Sequence, residues 1–290
     1  MPDPVDPAAA LPPLREVIAT FGLSASRSLG QNFLLDLNLT GKIARAAGPL
    51  AGRLVYEVGP GPGGLTRALL AQGAGRVVAV ERDSRFIAAL QGLQQAYPDR
   101  LTLVEADALE VDEGSLLGGA PARLVANLPY NIATPLLLKW FAMGEHFDSL
   151  TVMLQREVAD RLVAPPGSRT YGRLSVATQW RMTARRLFDL PASAFVPPPR
   201  VTSSVVQLVP RPQPLAPADP AILELVTRAA FGQRRKMLRS ALRSLGTDPL
   251  PLLEAAGIAP ERRAEELSVE NFCALAEAFR QGGAAGQPLR

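Results

Sequence analysis

The sequence predicts an α/β fold, in which a largely parallel sheet is covered by helices on both faces, followed by a smaller all-helical domain. Short β-branched runs alternate with helix-like segments between residues 53 and 210, a pattern typical of parallel sheets. The proline-punctuated stretch PRPQPLAPADP (210–220) then interrupts the chain. Beyond it strand signals vanish, and residues 221–280 have the pattern of helices only.

The elements follow one another in a simple order. Residues 1–13 form a proline-rich extension that we expect to be mobile. Helices are predicted within 15–47, interrupted by the loop SASRSLGQNF (24–33). The predicted strands are RLVYEVG (53–59), RVVAVE (76–81), LTLVEAD (101–107), RLVAN (123–127), LTVMLQ (150–155) and VTSSVVQLVP (201–210), with RLFDLP (186–191) as a hairpin partner. The expected domains are therefore an α/β domain over 14–210 and a linker with a helical domain over 211–290.

The composition excludes several kinds of site. The 290 residues, 47% of them apolar, are enough to bury a sizeable core without cross-links. A single cysteine, Cys273, and a single histidine, His146, rule out a disulfide framework and a typical zinc site. We interpret Cys273 as a core residue and His146 as a loop or cap residue. With no signal-peptide pattern and no apolar stretch near the roughly 20 residues of a membrane span, we expect a soluble cytoplasmic protein without a metal.

The first predicted strand ends in a glycine-rich loop, EVGPGPGGLT (57–66). Glycines there let backbone N–H groups approach a ligand closely, and the helix that follows directs its positive end at negative charge. Gly59, Gly61 and Gly64 also have the spacing of the dinucleotide fingerprint. On the glycines alone, NAD and S-adenosylmethionine (SAM) are both open as ligands.

Polar residues end the next three predicted strands. Glu81 ends the second, where a carboxylate accepts hydrogen bonds from ribose hydroxyls in either kind of cofactor site. Asp107 ends the third strand, where a carboxylate can accept a hydrogen bond from an adenine amino group. Asn127 ends the fourth strand. Because the carboxyl ends of parallel strands line one crevice, we expect these side chains to converge with Gly59.

The peptide that follows, Asn127-Leu128-Pro129-Tyr130, fits a clamp for the amino group of a nucleobase. The amide oxygen of Asn127 and the backbone carbonyl of Leu128, held by the rigid peptide before Pro129, offer two acceptors. The ring of Tyr130 offers a flat face on which a single base can stack.

Taken together, these segments resemble the rRNA adenine N6,N6-dimethyltransferase family, and most closely its bacterial 16S rRNA branch linked to kasugamycin sensitivity. The matching pieces span residues 30–243 in family order: GQNFLLD, VYEVGPGPGGLT, VVAVERD, EADAL, NLPYNIATPLL, MLQREVADRLVA, YGRLSV, FVPPPRVTSSVV and FGQRRKMLRSAL. The resemblance implies a Rossmann-like SAM-dependent methyltransferase domain that dimethylates two adjacent adenosines in the terminal hairpin loop of 16S rRNA. It further implies action as a monomer on an assembling 30S subunit.

The resemblance also carries over individual residues. Asn32 and Leu34 are expected to contact SAM, with Gln31 beside them, and Gly59, Gly61, Glu81, Asp107 and Asn127 complete that site. Phe195 resembles the second aromatic residue that helps the family hold the target base. A core position is the alternative for Phe195, and we favour base contact.

The cationic segment, residues 228–243, contains no acidic residue. If 222–245 form one helix, four arginines fall within an arc of about 80° with a lysine alongside; these are Arg228, Arg235, Arg239, Arg243 and Lys236. A kink at Gly232 would let Arg234 join them. The opposite side, Ile222, Val226, Ala230, Met237 and Ala241, would face the core. We expect the cationic face to hold rRNA phosphates, with a merely solvated face as the alternative.

Other functions remain open at this point. A 23S rRNA adenine dimethyltransferase shares the fold, the SAM site and the clamp. An RNA-binding assembly factor with secondary methylation is an alternative of another class. An NAD oxidoreductase is disfavoured because no catalytic Tyr-Lys pair or metal set is visible.

Overall fold

A computed structural model describes residues 11–24 and 32–283. The helices are α1 (Leu14–Thr20), α2 (Leu37–Ala46), α3 (Gly64–Ala71), α4 (Ser84–Ala96), α5 (Glu113–Leu117), α6 (Ala133–Ala142), α7 (Arg156–Leu162), α8 (Arg173–Arg181), α9 (Pro220–Gly232), α10 (Leu238–Ala241), α11 (Pro249–Ala255) and α12 (Val269–Gly283). The strands are β1 (Phe33–Leu34), β2 (Leu54–Val58), β3 (Arg76–Glu81), β4 (Leu101–Glu105), β5 (Ala122–Asn127), β6 (Phe147–Gln155), β7 (Met182–Leu190), β8 (Phe195–Val196) and β9 (Ser203–Pro210).

Seven strands form one mixed sheet in the order β4-β3-β2-β5-β6-β9-β7. The neighbouring pairs from β4 to β6 are parallel, and β9 runs antiparallel to β6. Residues Val77 to Val80 of β3 are at most 1% exposed, as expected for a central parallel strand covered on both faces. Every predicted strand is present, and the predicted α/β fold class is confirmed.

Some boundaries differ from the predicted ones. β4 ends at Glu105, so Asp107 lies in the turn after the strand rather than at its end. β7 begins at Met182, four residues before the predicted hairpin partner. The two-residue strands β1 and β8 pair antiparallel in a second small sheet that the sequence did not predict.

The chain divides into two compact units. The first unit holds the chain up to Ala159 together with Arg185–Pro210, and the second unit holds Asp160–Ala184 together with Arg211–Arg290. The break at Pro210 falls where the linker was predicted, but 160–184 group with the helical unit, whereas the sequence assigned them to the α/β domain. Their apolar side chains explain this, since Tyr171, Val176 and Trp180 belong to the same buried cluster as Phe272.

Aspartate side chains cap the N-termini of several helices. The Asp36 carboxylate accepts from the Asn38 and Leu39 N–H groups at the start of α2, and Asp83 accepts from Arg85 N–H at the start of α4. Asp219 caps α9 in the same way. Within the described ranges, no helix is both long and apolar enough to cross a membrane.

The cationic segment is not one helix, which corrects the sequence-based prediction. α9 ends at Gly232, and Gln233 follows with φ −127° and ψ 61°, outside the helical region. A turn over 233–237 separates α9 from the short α10. The ideal helix projection placed Met237 on the core side, but its side chain is 38% exposed. Met237 does not continue the helix and forms an isolated β-bridge with Arg263 instead.

Candidate active site

A cavity of about 440 Å³ lies in the first unit, where strands β2, β3, β4 and β5 end. Its lining includes most of the residues that the sequence predicted to form the site: Asn32, Leu34, Gly59, Gly61, Glu81, Asp107, Asn127, Leu128, Pro129 and Tyr130. Gln31 lies outside the residues that the structure describes. Strand order explains the convergence, because four parallel neighbours end at the same edge of the sheet.

The glycine loop forms one side of this cavity. Gly61 has a φ of 54°, which favours glycine, and donates its N–H to Glu81 Oε2 at 3.2 Å. Gly64 opens α3, and a Cβ there would lie 2.8 Å from the backbone oxygen of Leu34. Because its glycines lack side chains, the backbone of the loop lines the cavity directly. It also packs closely against the segment that carries Asn32 and Leu34.

Glu81 is held rigidly at the end of β3. Its other oxygen, Oε1, accepts the N–H of Asp83 at 3.0 Å, and the residue is only 8% exposed. Burial raises the pKa of Glu81, and the hydrogen bonds from Asp83 and Gly61 offset part of that rise. A carboxylate offers about four lone-pair positions, so two acceptor positions remain for a pair of ligand hydroxyls.

Asp107 organises the turn that follows β4. Oδ1 accepts Leu109 N–H at 3.0 Å, and Oδ2 pairs with the Arg82 guanidinium at 3.0 Å. Arg82, which was not predicted from the sequence, also lines the cavity and is 75% exposed. Its position directly after Glu81 was the one available signal. An ion pair this exposed is weak, and it leaves Asp107 able to accept a further hydrogen bond.

The Asn127 amide has a defined orientation. Its Nδ2 donates to the backbone oxygen of Asn32 at 3.3 Å, which leaves Oδ1 as the end available to a donor. The Leu128 N–H is bonded to the Met153 oxygen at 3.2 Å. Over 11–24 and 32–283, no hydrogen bond reaches the Leu128 carbonyl. Two carbonyl acceptors from neighbouring residues thus remain without donors.

Tyr130 is fixed by a contact that the sequence analysis missed. Its hydroxyl lies 2.7 Å from the hydroxyl oxygen of Ser203, which is fully buried in β9. Ser203 stands 73 residues further along the chain inside a predicted strand, so no sequence signal pointed to it. The bond restricts the angle of the Tyr130 ring against the cavity.

Phe195 is not among the residues that line the cavity. The residue is 2% exposed and pairs with Leu34 between β8 and β1. Its ring belongs to the first unit's core cluster with Met153 and Val205. The β1–β8 pairing, which the sequence did not predict, places Phe195 opposite Leu34. Contact of Phe195 with the target base stays a prediction.

Glu57, inside the EVG motif, is a second buried acid behind the glycine loop. It is 1% exposed, and neither carboxyl oxygen makes a hydrogen bond of normal geometry among the described residues. Burial raises the pKa of Glu57 to about 8, while the hydrogen bond from the Thr66 hydroxyl lowers the pKa and the charge of Glu81 raises it further. Glu57 is therefore mostly protonated at neutral pH.

Neither the histidine nor the cysteine joins the site. His146 lies in a 3-10 turn and does not line the cavity. Cys273 is buried in the second unit's core, and burial raises the pKa of its thiol to about 12. No group of three or more metal-ligating side chains occurs in the part of the chain that the structure describes.

The predicted RNA-binding cations fall into three groups. Arg234 is committed to the fold of the second unit: it pairs with Glu265 at 2.7 Å and donates to the backbone oxygens of Tyr171 and Ser168. Arg239 makes an exposed ion pair with Glu261 at 3.7 Å. The remaining four are exposed and have no charged partner among the described residues: Arg228, Arg235, Lys236 and Arg243.

Comparison with known proteins gives a consistent result. The family model described as "Ribosomal RNA adenine dimethylase" matches residues 22–281. The chain is 61% identical over 281 residues to "Ribosomal RNA small subunit methyltransferase A" of Azorhizobium caulinodans, covering 95% of this chain and 96% of that protein. It is 57% identical to the protein of the same name from Rhodospirillum rubrum, over 98% and 99% of the two chains.

Solved structures show the same likeness in three dimensions. A dimethyladenosine transferase from Plasmodium falciparum matches with a TM-score of 0.73 at 25% identity, over 86% of this chain and 97% of that chain. The 23S rRNA methyltransferase ErmE matches with a TM-score of 0.65, also at 25% identity, over 86% and 100%.

Proposed function

The chain belongs to the ribosomal RNA adenine dimethylase family, and on that premise we propose that it dimethylates N6 of two adjacent adenosines in the terminal hairpin loop of 16S rRNA, using SAM. One observation carries the proposal. The glycine loop, the buried Glu81 and the Asn127–Tyr130 peptide, which lie far apart in the sequence, line a single cavity.

The cofactor side of the cavity fits SAM. Glu81 accepts hydrogen bonds from the ribose hydroxyls, and Asp107 accepts one from the adenine amino group. Asn32, Leu34, Gly59 and Gly61 enclose the rest of the molecule, with the N-terminus of α3 beside its carboxylate. When bound, SAM supplies the methyl group on its sulfonium.

The substrate side holds the target adenine. The Asn127 amide oxygen and the Leu128 carbonyl accept the two N–H bonds of the exocyclic amine, which favours a tetrahedral nitrogen with its lone pair exposed. Tyr130 stacks on the base once the base has left its own stack. No side chain acts as general base, since the methylated nitrogen is acidic enough to lose its proton to water.

The second unit binds rRNA phosphates. Support comes from four exposed cations that have no charged partner within 11–24 and 32–283: Arg228, Arg235, Lys236 and Arg243. Phosphate contacts orient a protein on RNA and leave the selection of the base to the cavity. The protein acts as a monomer on an assembling 30S subunit in the cytoplasm.

Tritiated SAM and undermethylated 30S particles test this function. We expect label in N6,N6-dimethyladenosine at two adjacent positions of 16S rRNA, and none in matched 50S particles. The likeness to ErmE makes 23S rRNA the specific competitor. Label confined to 23S rRNA would overturn the proposed substrate while leaving the chemistry intact.

A further inference from the structure

The turn between β4 and α5, residues 107–111, forms one wall of the cavity. Asp107, Ala108 and Leu109 line it. The backbone oxygen of Asp107 accepts the N–H groups of Glu110 at 2.9 Å and Val111 at 3.2 Å. The conformation of this short turn therefore sets the shape of that wall.

Lys139 of α6 holds this turn from behind. Its Nζ donates to the Ala108 oxygen at 2.8 Å and to the Val111 oxygen at 2.5 Å. It also lies 2.8 Å from Glu113 Oε2, as an ion-pair contact rather than an aligned hydrogen bond. Two carbonyl oxygens thus accept hydrogen bonds from the ammonium group, and the carboxylate balances its charge. Lys139 itself does not line the cavity.

Glu113 explains why the ammonium stays in place. The carboxylate is completely buried, and its Oε1 accepts the indole N–H of Trp140 at 2.9 Å. A buried carboxylate is tolerated only when a cation and hydrogen bonds compensate for lost hydration. Glu113 and Trp140 thus direct the Lys139 ammonium at the two carbonyls of the turn.

We propose that Lys139 is a positioning residue for the nucleoside end of the cofactor, because it fixes the 107–111 turn in the conformation that binds the ligand. The inference rests on the proposed SAM site. On this proposal Lys139, a side chain outside the cavity, contributes to cofactor affinity as well as to the stability of the fold.

The test is the double variant Lys139→Met/Glu113→Gln, which removes both charges and leaves no buried ion unpaired. We expect S-adenosylhomocysteine to bind about tenfold more weakly by calorimetry, the loss typical of one charge-assisted hydrogen bond. We also expect faster amide hydrogen exchange at Ala108–Val111 in the ligand-free protein.

Arg100→Met is the matched control. Arg100 also donates to two backbone carbonyls, those of Leu70 and Ala74, but none of these residues lines the cavity. This variant should lose stability and keep wild-type ligand affinity. A double variant with wild-type affinity would overturn the inference alone, whereas no binding by the wild-type protein would overturn the proposed function as well.

Lys139→Arg serves if the double variant does not fold. It keeps Glu113 paired but exchanges a compact ammonium for a planar fork whose donors cannot meet both carbonyls in the same way. Weaker ligand binding with faster exchange at Ala108–Val111 supports the proposal. Unchanged values for both measurements overturn it.

Discussion

The cavity of the first unit and the cationic segment of the second unit were both predicted from sequence, with different results. The cavity residues are far apart in the chain, yet most of them meet as predicted. The cations are neighbours in the chain, yet their predicted common helix ends at Gly232. Residues at the ends of neighbouring parallel strands lie at the same edge of the sheet. In a helix, by contrast, one residue with non-helical backbone angles changes the direction of every side chain that follows it.

The two regions also differ in how they hold charge. Glu57 is buried behind the cavity and protonated, and burial raises its pKa to about 8. In the second unit, hydrogen bonds from Arg280 and Gln281 lower the pKa of Glu277 to about 2, but 37% of this side chain is exposed to solvent. Solvent screens exposed pairs, so we expect acid–base effects on stability to arise mainly in the first unit.

The largest expected effect is therefore on the pH dependence of stability. The folded protein keeps a proton on Glu57 that the unfolded chain releases above pH about 4.5. The free energy of unfolding should fall as pH rises from about 4.5 to about 8, by up to about 1.4 kcal/mol per pH unit. Glu57→Gln should flatten this slope in urea titrations across that range, and the exposed Glu105→Gln should not. An unchanged slope in Glu57→Gln would show that Glu57 ionises normally.

Asn127→Ala should give the next largest effect. Removing a hydrogen-bonding group that acts in the transition state costs about 10²–10³ in kcat. Single-turnover methyl transfer to 30S particles measures it, and Asn38→Ala, an exposed amide that does not line the cavity, is the control. A loss confined to SAM affinity, with normal turnover at saturation, would remove Asn127 from the clamp. A dominant ionisation near neutrality in the pH–rate profile, present in both the wild type and Glu57→Gln, would indicate a general base.

Glu81→Ala should weaken SAM binding about 10- to 100-fold, because charge-assisted hydrogen bonds contribute about 1.5–3 kcal/mol. Calorimetry measures the change directly. Glu105→Ala is the matched control, since Glu105 is the exposed partner of Glu81 in the β3–β4 register. Equal affinity in the wild type and Glu81→Ala would contradict the ribose assignment.

The substitutions at Tyr130 separate stacking from hydrogen bonding. Tyr130→Ala should weaken capture of the base by about 1–3 kcal/mol. Tyr130→Phe and Ser203→Ala each remove the 2.7 Å hydrogen bond between the Tyr130 and Ser203 hydroxyls. Each should raise the KM for the particle by the equivalent of about 1 kcal/mol or less. Their double variant should cost little more than either alone. If Tyr130→Phe were as damaging as Tyr130→Ala, stacking would not be the main role.

The smallest effect is expected in the cationic segment. Arg235→Gln should reduce the slope of log affinity against log salt by about 0.7–0.9, the value for one lost phosphate contact. Arg280→Gln changes the net charge equally, but Arg280 is paired with Glu277 at 2.6 Å and should leave the slope unchanged. Equal slopes in Arg235→Gln and the wild type would leave the segment a solvated face.

The sequence predicted those parts of the site that follow from strand order. Glu81 and Asn127 end buried runs, and their convergence needs only a parallel sheet. Lys139 and Ser203 escaped prediction because their contacts, across 31 and 73 residues, depend on how particular side chains pack. The burial of Phe195 escaped prediction for the same reason, since it depends on a two-residue pairing with β1.

The cations show the limit of periodicity. An ideal projection gave Arg234 and Arg235 different directions, but it did not predict that Arg234 would bind Glu265 and two backbone oxygens. Charge alone does not distinguish an arginine that stabilises the fold from one that is available to RNA. The two are distinguished by their burial and by their hydrogen-bond and ion-pair partners.

The division of labour between the two units is tested most directly by measuring two affinities on two variants: SAM by calorimetry, and undermethylated 30S particles by sedimentation at several salt concentrations. Glu81→Ala should lose SAM affinity and bind particles with the wild-type salt slope. Arg235→Gln should bind SAM normally and show the reduced slope. If either variant lowers both affinities together, cofactor binding and rRNA binding are not separate properties of the two units, and this account is wrong.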